Sequence, residues 1–197
     1  MKLHTFVLGE LETNCYAVIG ENNHAVIIDP AAQGDRLAAW LEEEKLTLDA
    51  IFLTHAHYDH MGGLKILQTR TGAEVYLHAD DLAIVPTMSM GRMTEHSRSY
   101  GDTVEAAGLT FRVLHTPGHS AGSVCLAVED ALFCGDTLFA GACGRIDLPS
   151  GDRMDMYRSL KTLYDLQGDY AVYPGHGPAS TLETERHTNP YLREARA

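Results

Sequence analysis

Short apolar runs and one segment of helical periodicity alternate along the first part of the chain. Residues 14–19 (NCYAVI) and 24–29 (HAVIID) are rich in β-branched residues, and residues 20–23 (GENN) between them have the composition of a tight turn. Apolar residues recur at i, i+3 and i+4 over 37–46, after a helix-start signal at Gly34. This part of the chain therefore predicts a β-hairpin followed by a helix.

The remaining sequence continues the alternation of strands and helices. The unbroken apolar run at 50–53 predicts a strand that is covered on both faces. The pattern also predicts helices over 64–72 and 153–166, and strands over 73–77, within 103–135 and over 170–173. Residues 86–101 have no clean period and predict a loop. Such alternation predicts an α/β fold, and 197 residues suit one domain.

Composition and charge exclude several classes of protein. The 27 acidic and 15 basic side chains give a formal charge of −12, which repels a phosphate backbone, so we expect no nucleic-acid partner. Because no stretch approaches the ~18 apolar residues of a membrane span and the start resembles no signal peptide, we expect a cytoplasmic protein without membrane contact. The cysteines form no C-x-x-C pair and predict reduced, partly buried thiols: Cys15, Cys125, Cys134 and Cys143.

Histidine is the outlier of the composition. Eleven histidines are present, and three of them fall in the string THAHYDH at 54–60, directly after a predicted buried strand. In an extended loop, His55 and His57 point to the same side. Asp59 and His60 turn into the next helix, so the string offers ligands to two different points in space. Neutral imidazole and carboxylate groups suit zinc, iron or manganese.

Three more candidate ligands also follow strand-like runs. They are His119 in TPGHS, Asp136 in GDT and His176 in PGHG. In α/β folds, active-site groups typically lie at the ends of strands. Asp29 ends another predicted strand, and we expect it to hold the ligand loop by hydrogen bonds. Seven ligand-type residues are too many for one tetrahedral ion, and they suit two ions that share a carboxylate and a water.

The order of these motifs resembles one family. H-x-H-x-D-H, then G-H-S, G-D-T and P-G-H-G, are similar to the motifs of the metallo-β-lactamase superfamily of αββα sandwiches. Residues 144–152 (GRIDLPSGD) and 185–192 (ERHTNPYL) resemble the short glyoxalase II-type hydrolases, which cleave hydroxyacylglutathione thioesters. The resemblance implies a four-layer αββα sandwich in one domain over 1–197, without the C-terminal helical domain of longer glyoxalase II enzymes.

The resemblance also implies a division of the ligands between two divalent ions, with zinc expected and iron or manganese as alternatives. The first ion would be held by His55, His57 and His119. The second would be held by Asp59, His60 and His176, with Asp136 bridging the two ions. Asp59 and Asp136 are the predicted catalytic residues. Two cations on one water lower its pKa toward neutrality, which creates a metal-bridging hydroxide as the nucleophile.

A thioester such as lactoylglutathione is the expected substrate, because a thiol with a pKa of roughly 8.5 can leave without being protonated. The chain would act as a monomer or a small homo-oligomer. Two alternatives stay open: a persulfide dioxygenase with one iron, which would resemble this chain at His55, His57, His119 and Asp136, and a catalytically inactive metal-binding module that serves as an interaction partner. A true β-lactamase is disfavoured because Asp136 stands where a cysteine is expected.

Other polar residues receive weaker assignments. The remaining histidines stand outside any ligand motif and are expected to be structural: His4, His24, His78, His96, His115 and His187. Arg145 and Asp147 are expected either to contact the substrate or to form an ion pair that fixes their loop. The cations available to the carboxylates of glutathione are Arg92, Arg98, Arg145 and Arg153, so we expect a weak grip on the thiol half of the substrate.

Overall fold

Two six-stranded mixed sheets form the centre of the molecule in a computed structural model, which describes residues 1–82 and 97–196. The first sheet has the order β1-β2-β3-β4-β5-β6, antiparallel from β1 to β3 and parallel from β3 to β6. Its strands are β1 (Lys2–Leu8), β2 (Thr13–Ile19), β3 (His24–Ile28), β4 (Thr47–Phe52), β5 (Glu74–Leu77) and β6 (Arg98–Ser99).

The second sheet has the order β14-β13-β10-β9-β8-β7, with one parallel pair between β10 and β13. β11 and β12 form a separate two-stranded antiparallel sheet. The strands of this half are β7 (Thr103–Ala106), β8 (Leu109–His115), β9 (Val124–Val128), β10 (Ala131–Gly135), β11 (Leu138–Phe139), β12 (Ala142–Cys143), β13 (Ala171–Pro174) and β14 (Ser180–Thr181).

Helices cover the outer face of each sheet. The helices are α1 (Gly34–Glu43), α2 (Tyr58–Met61), α3 (Leu64–Thr71), α4 (Ala79–Leu82), α5 (Arg153–Asp165), α6 (Leu182–Thr188) and α7 (Pro190–Ala195). Buried leucines of α1 and α3 pack on the first sheet, and those of α5, α6 and α7 pack on the second. None of the helices in the described ranges has the length and hydropathy needed to cross a membrane.

The two sheets face each other across an aromatic core. Phe52 of the first sheet meets Phe111 of the second edge-on, with ring centroids 4.9 Å apart, and Phe133 is also fully buried. Truncating a buried ring of this kind costs about 3–5 kcal/mol of unfolding free energy. With the two helical layers outside, this core completes the αββα arrangement, so the predicted α/β sandwich is confirmed.

Most of the predicted elements are confirmed. β2 and β3 pair antiparallel through a short 3-10 turn, in which Asn22 and Asn23 adopt positive φ angles of 52° and 62°. The four cysteines are free, three of them buried. The helix predicted over 37–46 ends earlier, at Glu43, because Lys45 has a φ of 57° and the backbone N–H of Leu46 turns back to the carbonyl of Leu41.

The loop prediction for 86–101 is wrong at its end, where β6 pairs parallel with β5. This strand has only two residues, too few to show any periodicity. Residues 86–96, with Arg92 and His96, lie outside the described residues. The sequence interpretation also missed β1, α4, α6, α7 and the two-residue strands β11, β12 and β14, although Thr181 caps α6 by accepting the backbone N–H of Thr184. β1 is mostly exposed and mixes polar with apolar residues, so it lacks the apolar run of an internal strand.

Candidate metal centre

All seven candidate ligands follow the ends of strands. The 55–60 string begins three residues after β4 ends at Phe52 and leads into α2, and His119 follows β8 after a short turn. Asp136 directly follows β10, and His176 lies just beyond β13. Because these strands deliver their ends to one edge of the sandwich, the structure brings all seven side chains together there.

Three histidines form the first cluster, defined as His55, His57 and His119. One nitrogen from each ring lies within 4.8 Å of the others, and all three residues are buried. His57 Nδ1 faces His119 Nε2 at 2.7 Å. The rings meet edge-on, with interplanar angles of 83–85°, so their in-plane lone pairs converge on a common point.

Asp59, His60 and His176 form the second cluster. Asp59 Oδ2 lies 3.5 Å from His60 Nε2 and 3.3 Å from His176 Nε2. Asp136 lies between the clusters: its Oδ1 is 3.4 Å from His60 Nε2, and its Oδ2 is 3.4 Å from His119 Nε2 and 3.6 Å from His176 Nε2. One carboxylate therefore adjoins both clusters.

Hydrogen bonds hold the other ring nitrogen of several of these histidines. His119 Nδ1 donates to the carbonyl of Arg145 at 2.7 Å, and His176 Nδ1 donates to the carbonyl of Leu11 at 3.0 Å. An N–H at Nδ1 leaves the lone pair on Nε2, and Nε2 is the nitrogen that faces the other candidate ligands. Such bonds fix both the orientation and the tautomer of a metal-binding imidazole.

Asp29 supports both clusters through hydrogen bonds. Its Oδ1 accepts the backbone N–H of Thr54 at 2.8 Å, and its Oδ2 accepts the Thr54 hydroxyl at 2.7 Å and His60 Nδ1 at 2.9 Å. The same Thr54 oxygen accepts His55 Nδ1 at 3.0 Å. Asp29 is only 2% exposed. The prediction that Asp29 holds the ligand loop by hydrogen bonds is confirmed.

Strand β2 holds the segment that carries His176, and the sequence interpretation missed this role. The Asn14 amide donates to the carbonyls of Pro174 at 3.0 Å and Gly177 at 2.9 Å, and its backbone N–H donates to Gly175 at 2.7 Å. A Cβ on Gly175 would overlap Asp136, so only glycine fits there. The available signal was a polar Thr-Asn pair at the start of an otherwise apolar strand.

Several atoms of the site suit a metal ion rather than protein hydrogen bonds. The Nε2 atoms of His55 and His60 and the Oδ1 atom of Asp136 are buried without a hydrogen-bond partner among the described residues. Buried polar atoms without partners are rare, because each one costs free energy. Imidazole nitrogen and carboxylate oxygen are the donors that zinc, iron and manganese accept. The residues therefore fit a metal centre.

Burial determines the charge state of the first cluster. It lowers the pKa of His55 well below its usual value, and nearby His60 lowers this pKa further. Burial and the neighbouring His119 lower the pKa of His57 to about 4. Both imidazoles are therefore neutral at pH 7, which is the form that binds a metal ion.

The second cluster shows the opposite shifts. The hydrogen bond between His176 and Asp59 raises the pKa of His176. Burial lowers the pKa of His60, but the charges of Asp136 and Asp29 outweigh burial and raise this pKa well above its usual value. Burial raises the pKa of Asp136, and the His60 charge outweighs it, so the net pKa is lowered. The carboxylates thus attract positive charge, which a proton or a metal cation can supply.

A cleft of about 600 Å³ is lined by five of the seven residues: His57, Asp59, His119, Asp136 and His176. The other residues of its lining are Leu11, Tyr58, Phe139, Cys143, Arg145 and Leu148. A second cavity of about 430 Å³ adjoins it and shares Cys143 and Arg145. A wider concavity of about 870 Å³ between Tyr164 and Arg196 is lined mainly by charged residues and contains none of the seven.

Two of the four predicted substrate cations pair with protein carboxylates. Arg145 forms a two-pronged ion pair with Asp147, at 2.7 and 2.8 Å, which is the loop-fixing alternative of the sequence interpretation. Arg98 pairs with Glu74. Arg153 lies over the ring of Tyr157, with the guanidinium carbon 5.6 Å from the ring centroid, at the adjoining cavity.

Among the described residues, one further His/Asp group lies elsewhere, at His78, Asp80 and His115. Its two imidazoles stack face to face, at an interplanar angle of 13°, so their lone pairs do not converge. His115 Nε2 already donates to the carbonyl of Ala121 at 2.8 Å. We therefore assign this group no metal, in agreement with the structural role expected for both histidines.

Comparison with known proteins places the chain in a family. The family model described as the metallo-beta-lactamase superfamily matches residues 8–176, a range that contains all seven candidate ligands. The chain belongs to the metallo-β-lactamase superfamily. An uncharacterized protein of Mycobacterium leprae is 35% identical over 98% of this chain and 99% of its own length. The hydroxyacylglutathione hydrolase GloC of Haemophilus influenzae is 29% identical over 98% of both chains.

Several solved structures share the fold. BLEG-1, described as a B3 metallo-beta-lactamase, has a TM-score of 0.88 at 34% identity over 97% of this chain and 99% of its own. TTHA1623, solved in a di-iron-bound form, has a TM-score of 0.85 at 36% identity over 95% and 99%. ETHE1 from Myxococcus xanthus has a TM-score of 0.82 at 30% identity over 99% and 88%. As a superfamily member with hydroxyacylglutathione hydrolase relatives, the protein is a metal-dependent hydrolase.

Proposed function

We propose that this hydrolase is a two-metal thioesterase that cleaves hydroxyacylglutathione, such as lactoylglutathione, to a hydroxy acid and glutathione. The proposal rests on the position of Asp136, because its carboxylate oxygens lie 3.4–3.6 Å from histidine nitrogens of both clusters. The first cluster would hold one ion, the second cluster would hold the other, and Asp136 would bridge them. Zinc is the expected ion, with iron or manganese as alternatives.

When bound, the ions would supply Lewis acidity and lower the pKa of a water to near neutrality. The protein's part is to keep the ligands ionised and oriented. Burial raises the pKa of Asp59, but hydrogen bonding to His176 and the charge of His60 outweigh it, so Asp59 is an anion at pH 7. The hydroxyl of Thr13 donates to Asp59 Oδ2 at 3.3 Å and helps to fix its direction. Asp59 is thus placed to orient the attacking water.

The chemistry of the leaving group favours a thioester. Water adds its oxygen to the acyl carbon and releases its protons to the solvent, the C–S bond breaks, and the sulfur leaves as a thiolate with the electron pair. Because the thiol has a pKa of roughly 8.5, it can leave without a proton donor. An amide or lactam nitrogen would need a proton at this step. Apart from the candidate metal ligands, the described lining of the cleft offers as proton donors only Tyr58, which is 58% exposed, and the half-buried Cys143 thiol.

The test of the proposed function separates it from an oxidative alternative. A persulfide dioxygenase is the second candidate, because the residues that its one-iron site would resemble, His55, His57, His119 and Asp136, lie together here. Purified metal-loaded protein should release free thiol from lactoylglutathione at a rate that saturates with substrate, and should consume no oxygen with glutathione persulfide. Oxygen uptake with the persulfide, together with no thiol release from the thioester, would reverse this choice.

The structure also predicts low selectivity for the thiol half of the substrate. Arg145 is exposed and already pairs with Asp147, and Arg153 is exposed at the adjoining cavity, so neither provides a buried anchor for the carboxylates of glutathione. We expect kcat/KM for one acyl group to differ by less than about 1000-fold between glutathione and a smaller thiol. A larger preference would show a dedicated glutathione site that these residues do not explain.

A further inference from the structure

A buried carboxylate outside the seven candidate ligands joins two separate loops of the site. Asp81 lies in α4 and is 1% exposed. Its Oδ2 accepts the backbone N–H of Ala56 at 2.8 Å and the hydroxyl of Ser120 at 2.9 Å. Its Oδ1 accepts the backbone N–H of Gly122 at 2.6 Å. All three donors are neutral, so the carboxylate acts here as a hydrogen-bond acceptor for the backbone and not as half of an ion pair with them.

The donors belong to the loops that carry the first cluster. Ala56 lies between two of its histidines, and Ser120 directly follows the third. These loops are far apart in sequence, and Asp81 joins them across 25 residues on one side and 39 on the other. The contact is close, because a Cβ on Gly122 would lie 2.6–2.7 Å from atoms of Asp81. Asp81 therefore fixes the spacing between the loops that present the three histidines.

The second cluster is held by different groups. Asp29 bonds His60, Thr13 bonds Asp59, and Asn14 bonds the carbonyls on either side of His176. No hydrogen bond joins Asp81 to these residues in the described part of the chain. Asp29 reaches both clusters, but Asp81 is hydrogen-bonded only to the loops of the first and Asn14 only to the segment of His176, so each of these two supports can be weakened without the other.

We infer that Asp81 is a positioning residue of the first cluster, setting how tightly that cluster binds its metal ion and leaving the affinity of the second cluster unchanged. The inference rests on the proposed function in that it takes the first cluster to be a metal site. Loss of a group that orients metal ligands typically lowers metal affinity by about 10- to 100-fold. Asn cannot replace Asp81, because both of its oxygens accept backbone N–H groups and an amide would turn an NH₂ against one of them.

The test measures each cluster by itself, with Zn²⁺ as the probe and a chromophoric chelator as competitor. His176→Ala leaves the first cluster intact, and His57→Ala leaves the second. In the His176→Ala background, Asp81→Asn should raise the Zn²⁺ dissociation constant by about 10- to 100-fold. In the His57→Ala background, the same substitution should change it by less than about twofold. No catalytic activity is needed for either measurement.

Asn14→Ala is the matched control, because Asn14 supports only the segment of His176. It should weaken Zn²⁺ binding in the His57→Ala background and not in the His176→Ala background. Ser120→Ala removes one of the three hydrogen bonds to Asp81 and should give the same selective loss at a smaller size, about 3- to 10-fold. If circular dichroism shows that Asp81→Asn does not fold, the Zn²⁺ measurements are made on Ser120→Ala instead.

A purely structural role for Asp81 predicts a different outcome. Equal losses at both clusters, or no loss at the first cluster, would overturn the inference and leave the proposed function standing. If neither His176→Ala nor His57→Ala binds Zn²⁺, and the parent protein binds none, the metal assignment fails and the inference fails with it. Selective weakening of the first cluster is the result expected.

Discussion

Asp136→Asn is expected to lower kcat/KM for thioester hydrolysis by at least about 1000-fold, which corresponds to about 4 kcal/mol of transition-state stabilisation. The amide has nearly the shape of the carboxylate but lacks its charge, and this charge lies between His60, His119 and His176. Bound metal should fall from two equivalents toward one. The measurements are steady-state kinetics on lactoylglutathione and elemental analysis of the same sample.

Asp165→Asn is the control for this substitution, because Asp165 is an exposed residue of α5 that pairs with Lys161 and belongs to neither cluster. It should leave both the rate and the metal content unchanged. An Asp136→Asn protein that keeps two ions and stays within about tenfold of the parent rate would show that Asp136 does not bridge the ions.

Asp29→Ala is expected to lower the unfolding free energy of the metal-free protein by about 3–5 kcal/mol. The substitution leaves His60 buried without its closest carboxylate, and it leaves the backbone N–H and hydroxyl of Thr54 without their acceptor. Denaturant unfolding of both proteins measures the difference. Asp35→Ala, at an exposed residue of α1, is the control and should change stability by less than about 0.5 kcal/mol.

The loss at Asp29→Ala should depend on pH. The pKa of His60 is raised in the folded protein, against burial, by Asp136 and Asp29. A raised pKa means that the folded state binds the proton more tightly, so this stabilisation is fully present below the unfolded pKa of about 6.5 and is lost as pH rises through the folded value. We therefore expect a larger difference between the two proteins at pH 6 than at pH 10, and an equal difference at both would contradict the His60–Asp29 interaction.

The candidate ligands could be found from sequence because their signals are local. The 54–60 string places four ligand-type residues within six positions, and His119, Asp136 and His176 each follow a recognisable strand end. Strand ends at one edge of an α/β sandwich converge, so the positions of the strands were enough to predict that these side chains meet. Asp29 was found by the same reasoning.

The supporting residues could not be found in this way, because their partners are distant in sequence. Asn14 contacts residues 160 or more positions away, and Asp81 joins loops on either side of it. Neither residue stands in a metal-binding pattern, and a buried Asp in a short helix resembles any solvent-facing one in sequence. The same limit applies to β1 and β6, whose positions depend on pairing with neighbouring strands and not on an apolar run of their own.

The most direct test of a two-ion thioesterase is a metal titration of the metal-free protein with Zn²⁺, with thiol release from lactoylglutathione followed at each addition. Two tightly bound equivalents are expected, with the rate reaching its maximum at the second. His176→Ala should bind one equivalent and stay at least about 100-fold slower at saturating Zn²⁺. Full activity at one equivalent, with no second tight site and no effect of His176→Ala, would contradict the two-ion centre.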